Sequence, residues 1–157
     1  MWQISIGQVH FAITSGSLIP LLVMVPNFVW MAFPPTSAPV VLDAEPIWLR
    51  AIENIGRMAV LLLPFFFVLD FDRSYFLPVI IAMTGSLVLY YARWVRYFLG
   101  SRSFALLKAP FFGVPVPMAA FPVVFPLLSS YLMKSLWMFV SAAIFGIAHL
   151  WISVIGL

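Results

Sequence analysis

Apolar runs longer than any soluble helix needs dominate this chain and leave few folds open to it. They cover residues 4–33, 47–69, 75–99 and 118–157. A membrane-crossing helix needs about 20 predominantly apolar residues, and every run reaches that length. Composition agrees, at 64% hydrophobic and 8% charged residues with mean hydropathy +1.12. A soluble domain carries about 25% charged residues. Barrel strands would alternate apolar and polar residues, and these runs do not. The expected fold is an all-α integral membrane protein, one transmembrane helical domain over residues 1–157, with no room for a separate soluble domain.

The breaks predict the number of helices. Residues 4–33 would reach about 45 Å if straight, against a hydrocarbon core of about 30 Å. Pro20 and Pro26 are therefore expected to kink or tilt that helix. Residues 34–46, rich in proline and holding Asp43 and Glu45, read as a loop. Pro64 predicts a kink in the second run, and Asp70, Asp72 and Arg73 a tight turn. Residues 100–117, with Arg102, Lys108, Pro110, Gly113, Pro115 and Pro117, read as a short surface helix followed by extended chain. Lys134-Ser135 divides the last run in two. That predicts a compact bundle of five transmembrane helices; because Pro122 and Pro126 interrupt residues 118–133, four spans plus a re-entrant element is the alternative. Met1-Trp2-Gln3 lacks the positive region of a cleaved signal peptide, so the first helix is expected to stay.

Charge then sets the orientation. With five spans, Arg50, Arg57, Arg93, Arg96, Arg102 and Lys108 gather on one side, and Arg73 and Lys134 on the other. The positive-inside rule predicts a multi-pass protein with its N-terminus outside and its C-terminus cytoplasmic; the compact loops and missing soluble domains point to the cytoplasmic (inner) membrane. Trp2, Trp30, Trp48, Tyr75, Trp94 and Trp137, near span ends, are expected as interfacial anchors. A net charge of +3, small and clustered, argues against nucleic-acid binding. With no cysteine there is no disulfide, thiolate or Cys–metal chemistry.

Charge at membrane depth is costly and usually has a partner or a task. Arg50, Glu53, Asn54 and Arg57 recur at spacings of three and four, which places them on one helix face. Counting from Ile47, Arg57 lies about 15 Å in. On the third helix Tyr90, Arg93 and Tyr97 align, with Ser86 one turn further in and Arg96 to one side. Taken as antiparallel neighbours, helices two and three put both groups at one depth. Three readings stay open: a structural Glu53–Arg57 or Glu53–Arg93 pair, a site for a phosphate, carboxylate or sulfate group held by the surplus arginines, or arginines meeting lipid headgroups.

His149 belongs to the stripe Ala142, Gly146, His149, Ser153 and Gly156, whose small residues allow close helix packing. It is expected near the arginine cluster, as a packing residue or as a general base. His149 and Glu53 are therefore the catalytic candidates. His10 sits at the opposite face, so the two histidines cannot share one haem. No metal site or cofactor is expected. Gly-rich phosphate loops and Gly-x-Ser-x-Gly elbows are absent.

Leu89-Tyr90-Tyr91-Ala92-Arg93-Trp94, followed by Leu99-Gly100-Ser101-Arg102, resembles the helix before the active region of isoprenylcysteine-type membrane methyltransferases. Those enzymes continue with an Arg-His-Pro motif, whereas Gly113-Val114-Pro115-Val116-Pro117 holds neither Arg nor His, so methyl transfer is not implied. Residues 50–64 resemble the second helix of microsomal glutathione transferases, with Arg, Asn and Glu in a different order. Function is expected from the cluster itself, as binding of an anionic or amphipathic ligand or lipid, with transport as its use. A lipid-modifying enzyme of transferase type and an accessory subunit are the alternatives. The expected partners are membrane lipids, an anionic ligand, and a second copy or a larger membrane complex.

Overall fold

Proline decides where the second apolar run stops being α-helical. In a computed structural model of the protein, which describes residues 15–36, 45–111 and 113–155, α2 covers Ile47–Leu62 and gives way to a 3-10 turn at Leu63–Phe66. Pro64 occupies the start of that turn; it has no N–H to donate and crowds the preceding turn, so the α-helix ends there instead of running on to residue 69. Trp2, His10, Asp43 and Gly156 lie outside the described residues.

The other helices follow the expected breaks. A 3-10 turn at Ser15–Ser17 leads into α1 (Leu18–Ala32), and α3 covers Phe76–Leu99. The connection holds the short α4 (Phe104–Lys108) and an isolated bridge between Phe111 and Val114. Gly113 turns that bridge at φ 78°, a conformation that side chains resist. The last run divides into α5 (Pro117–Leu132) and α6 (Leu136–Ile155), with Lys134 at φ 52° in the turn between them. Among the described residues there is no β-strand.

Small residues select the helix neighbours. A Cβ on Gly56 would lie 2.9 Å from the backbone of Phe145, so α2 and α6 approach to backbone contact. A Cβ on Gly146 would lie 2.5 Å from Val123 Cγ1, so the Val123 side chain of α5 rests on the bare backbone of α6 there. Helix α3 packs on α5, and the helices therefore run in the order α2, α6, α5, α3. This corrects the expectation that α2 and α3 are packed neighbours.

Helix α1 is bound to α3 through the consequences of its own proline. Pro26 cannot donate to the carbonyl of Leu22, and that freed acceptor takes the hydroxyl of Tyr91 at 2.8 Å. One residue on, the side-chain amide of Asn27 donates to Val23 O and to the Tyr90 hydroxyl, both at 2.9 Å.

Both ends of the bundle are tied. At one, Lys134 pairs with the Asp70 carboxylate, and Arg73 donates to the carbonyl of Tyr131 at 2.7 Å while lying 3.9 Å from the centre of its ring. The hydrogen bond from Lys134, then that from the backbone of Asp72, holds the Asp70 carboxyl below its ordinary value. Leu69 N donates to Ser15 Oγ at 2.8 Å, which brings the start of α1 to this end. At the other end Thr36 bonds the carbonyls of Ser101 and Arg102, at 3.0 and 3.2 Å.

Ile19, Val60, Met83, Val123, Leu132, Met138 and Ala142 form the core. Large apolar side chains also stand outward, among them Met31, Ile55, Ile81 and Ile147 at 63–71% exposed. Among the described residues, three helical segments, Ser15–Ala32, Phe76–Leu99 and Leu136–Ile155, are long and apolar enough to cross a membrane, and α5 is apolar but shorter. The all-helical architecture is thus compatible with a membrane protein. Trp48, Tyr75 and Trp137 are exposed, as anchors would be, whereas Trp94 is buried and Trp30 half-buried. The last two are interior residues.

Candidate functional site

Glu53 is a buried carboxylate, and two bonds account for its placement. It accepts from Arg57, one turn along α2, and its Oε1 lies 2.7 Å from His149 Nδ1 on α6. The close approach at Gly56 and Phe145 is what brings α6 within this reach. His149 stacks on Phe145, ring centres 5.0 Å apart and planes 16° from parallel, which holds the imidazole plane. A carboxylate ion-paired with Arg57 offers Nδ1 only lone pairs, and on that ground we assign the hydrogen of this contact to Nδ1. Among the described residues Nε2 has no hydrogen-bond partner.

Arg57 and His149 open onto a cavity of about 440 Å³. The α1 face formed by Ile19, Val23, Asn27 and Trp30 makes one wall, and Tyr90 and Trp94 of α3 another. Pro122 and Pro126 of α5 line a third. They free the carbonyls of Met118 and Pro122, four residues earlier, from their helical bonds. Leu107 reaches in from α4, and Ser153, whose Oγ donates to the carbonyl of His149 at 2.7 Å, completes the rim on α6. The lining is mostly apolar, with its charge confined to the α2–α6 side.

The residues expected in one cluster separate into distinct places. Glu53, Arg57 and His149 meet, and Tyr90 faces them across the cavity. Arg93 is fully buried elsewhere; its Nη2 donates to the carbonyl of Leu106 and, at 2.9 Å, to that of Ala109, and its guanidinium lies 5.2 Å from the Phe111 ring centre. It ties α4 to α3, so the expected Glu53–Arg93 pair is replaced by Glu53 with Arg57 and His149. Tyr97 reaches the carbonyl of Phe33 at 3.4 Å. Arg50 pairs with Glu45 at 2.7 Å on the surface, and Asn54 and Arg96 are exposed.

Sequence reasoning missed Asn27 and Trp30. Their signal was present, since Asn27 is an amide in the middle of an apolar run, where an unpaired polar group is costly. The small-residue stripe of α6 is spent within the chain, with Ala142 fully buried and Gly146 against Val123. Among the described residues no group of His, Asp or Glu could hold a metal. No family model matches this chain, and neither does any curated protein or solved structure.

Proposed function

We propose that this protein is a five-span membrane protein that receives an anionic or amphipathic ligand in the cavity between α1, α2, α3, α5 and α6. The five-span reading is supported by length. Helix α2 with its 3-10 extension reaches about 32 Å, close to the hydrocarbon thickness, and α5 at about 24 Å is short enough to need local thinning. Ties at both ends support the same reading, because Lys134, in the α5–α6 turn, meets Asp70, in the α2–α3 turn. A re-entrant α5 would hold them on opposite sides. In this arrangement Arg50, Arg57, Arg93, Arg96, Arg102 and Lys108 belong to the cytoplasmic half.

One observation carries the binding reading: an apolar cavity of ligand size with Arg57 and His149 on a single wall. Small-molecule sites occupy about 300–1,000 Å³ and combine an apolar lining with a few convergent polar groups. The apolar walls suit a hydrocarbon body, and Arg57 suits an oxyanion, which guanidinium holds through paired N–H groups. The test is native mass spectrometry of the protein released from its own membrane without harsh delipidation. A stoichiometric small mass is expected on the wild type and at least tenfold reduced on Arg57→Ala. Equal occupancy in both would remove Arg57 from binding.

A lipid-modifying enzyme is the second reading, favoured by the Glu53 bond to Nδ1. That bond orients the imidazole and leaves Nε2 to act on a substrate as acid or base. An accessory-subunit role has less support, because the small-residue stripe that would form its interface is already covered.

A further inference from the structure

We infer that the cavity's ligand is a single-chain carboxylic acid, taken up as the neutral acid and held as its carboxylate between His149 Nε2 and Arg57. The inference rests on the binding reading above and names the chemical class. Its basis is the asymmetry of the polar wall. With the hydrogen on Nδ1 fixed by Glu53, Nε2 presents a lone pair and asks for a hydrogen-bond donor. Arg57 presents only donors and asks for an acceptor. A carboxyl group supplies both from adjacent oxygens. An ester supplies only acceptors, and an alcohol lacks a carbonyl to face the guanidinium.

The protonation step balances within the site. The acid's O–H bond breaks, its electron pair stays on the carboxylate oxygen, and the proton forms an N–H bond at Nε2. The new imidazolium lies on the Glu53 carboxylate and the new carboxylate faces Arg57. A neutral acid is also the form that crosses hydrocarbon, so no net charge enters the bilayer with the ligand. Among the cavity-lining residues, the ionisable groups are Arg57 on α2 and His149 on α6, with Glu53 directly behind them; the α1, α4 and α5 lining adds none, and α3 adds the Tyr90 hydroxyl, which Asn27 already bonds. The cavity, toward the lower end of the ligand-site range, fits one chain more readily than two.

The test uses the full chain in phosphatidylcholine nanodiscs, titrated with oleic acid, methyl oleate and oleyl alcohol, and ¹⁵N-histidine spectra of the same samples. Oleic acid is expected to bind at least about tenfold tighter than methyl oleate, the effect of one charge-assisted hydrogen bond. The His149 ring, assigned by loss of its signals in His149→Gln, is expected to go from one protonated nitrogen to two with oleic acid and to stay unchanged with methyl oleate. In His149→Gln, checked for folding by thermal unfolding, the acid–ester gap is expected to close to about twofold. Equal binding of acid and ester with an unchanged ring, both lost in Arg57→Ala, would overturn the inference and leave the amphipath site standing. If none of the three binds, both readings fall.

Discussion

At the scale of single residues, the site depends on a glycine as much as on its charges. Glu53 meets His149 because Gly56, one turn along, allows α6 to rest on α2 with no side chain between. Gly56→Ala would press a methyl group to 2.9 Å from the Phe145 backbone, which cannot yield without separating the helices. Overpacking of this kind costs about 1–3 kcal/mol. Gly85 on α3 has open space where its Cβ would be, so Gly85→Ala is expected to be neutral or stabilising by up to about 1 kcal/mol through helix propensity. Denaturant unfolding of the two variants in mixed micelles gives the comparison, and equal stability would mean that α2 and α6 do not approach this closely. The Gly56 requirement was not legible in the sequence, because a lone glycine in a helical run does not say which neighbour needs the space. The Glu53–Arg57 pair was legible, since spacing on one helix suffices to predict it.

At the scale of elements, proline does opposite things in different helices. Pro64 ends α2, whereas Pro26 lies inside α1 and donates an acceptor to the interface. The Tyr91 hydroxyl replaces the missing N–H at Leu22 O, so this bond exists because the proline does. Tyr91→Phe is therefore expected to cost about 1 kcal/mol in the wild-type chain. In a Pro26→Ala background, where the helix supplies its own donor, the cost should fall close to zero. A double-mutant cycle by denaturant unfolding measures the difference. Additive effects would mean that Tyr91 is not bound to the carbonyl that Pro26 releases. The prolines themselves were legible as helix-perturbing features; which of them bend, end or merely line a wall depends on neighbours that sequence spacing does not contain.

At the scale of the whole molecule, the ties at the two ends decide which turns share an end of the bundle. Asp70 and Lys134 mark one end, and Thr36 with Ser101 and Arg102 marks the other. The chain has no cysteine, so single cysteines report without background. In right-side-out vesicles, Asp72→Cys is expected to react with a membrane-impermeant maleimide, and Ser101→Cys only after the membrane is opened. Labelling of both from the same side would contradict the five-span reading. Exposed side chains such as Met31, Ile55, Ile81 and Ile147 are compatible with a membrane setting, since in water they would form adhesive patches.

What the sequence determined by itself was part of what acts locally. Apolar run lengths and the Asp70–Arg73 turn place the helices and most of their breaks, and i,i+4 spacing specifies the Glu53–Arg57 pair, whereas Pro64 ends α2 where spacing alone predicted a kink. Which helices touch was decided only in the tertiary structure, because packing depends on shape matched between distant segments. Gly56 selected α6 as the neighbour of α2, and so gave Glu53 His149 as a partner in place of Arg93. Arg93, left without a carboxylate, took the carbonyls of Leu106 and Ala109 instead. The cavity arises the same way, from lining residues on all six helices α1–α6 whose convergence no single segment encodes.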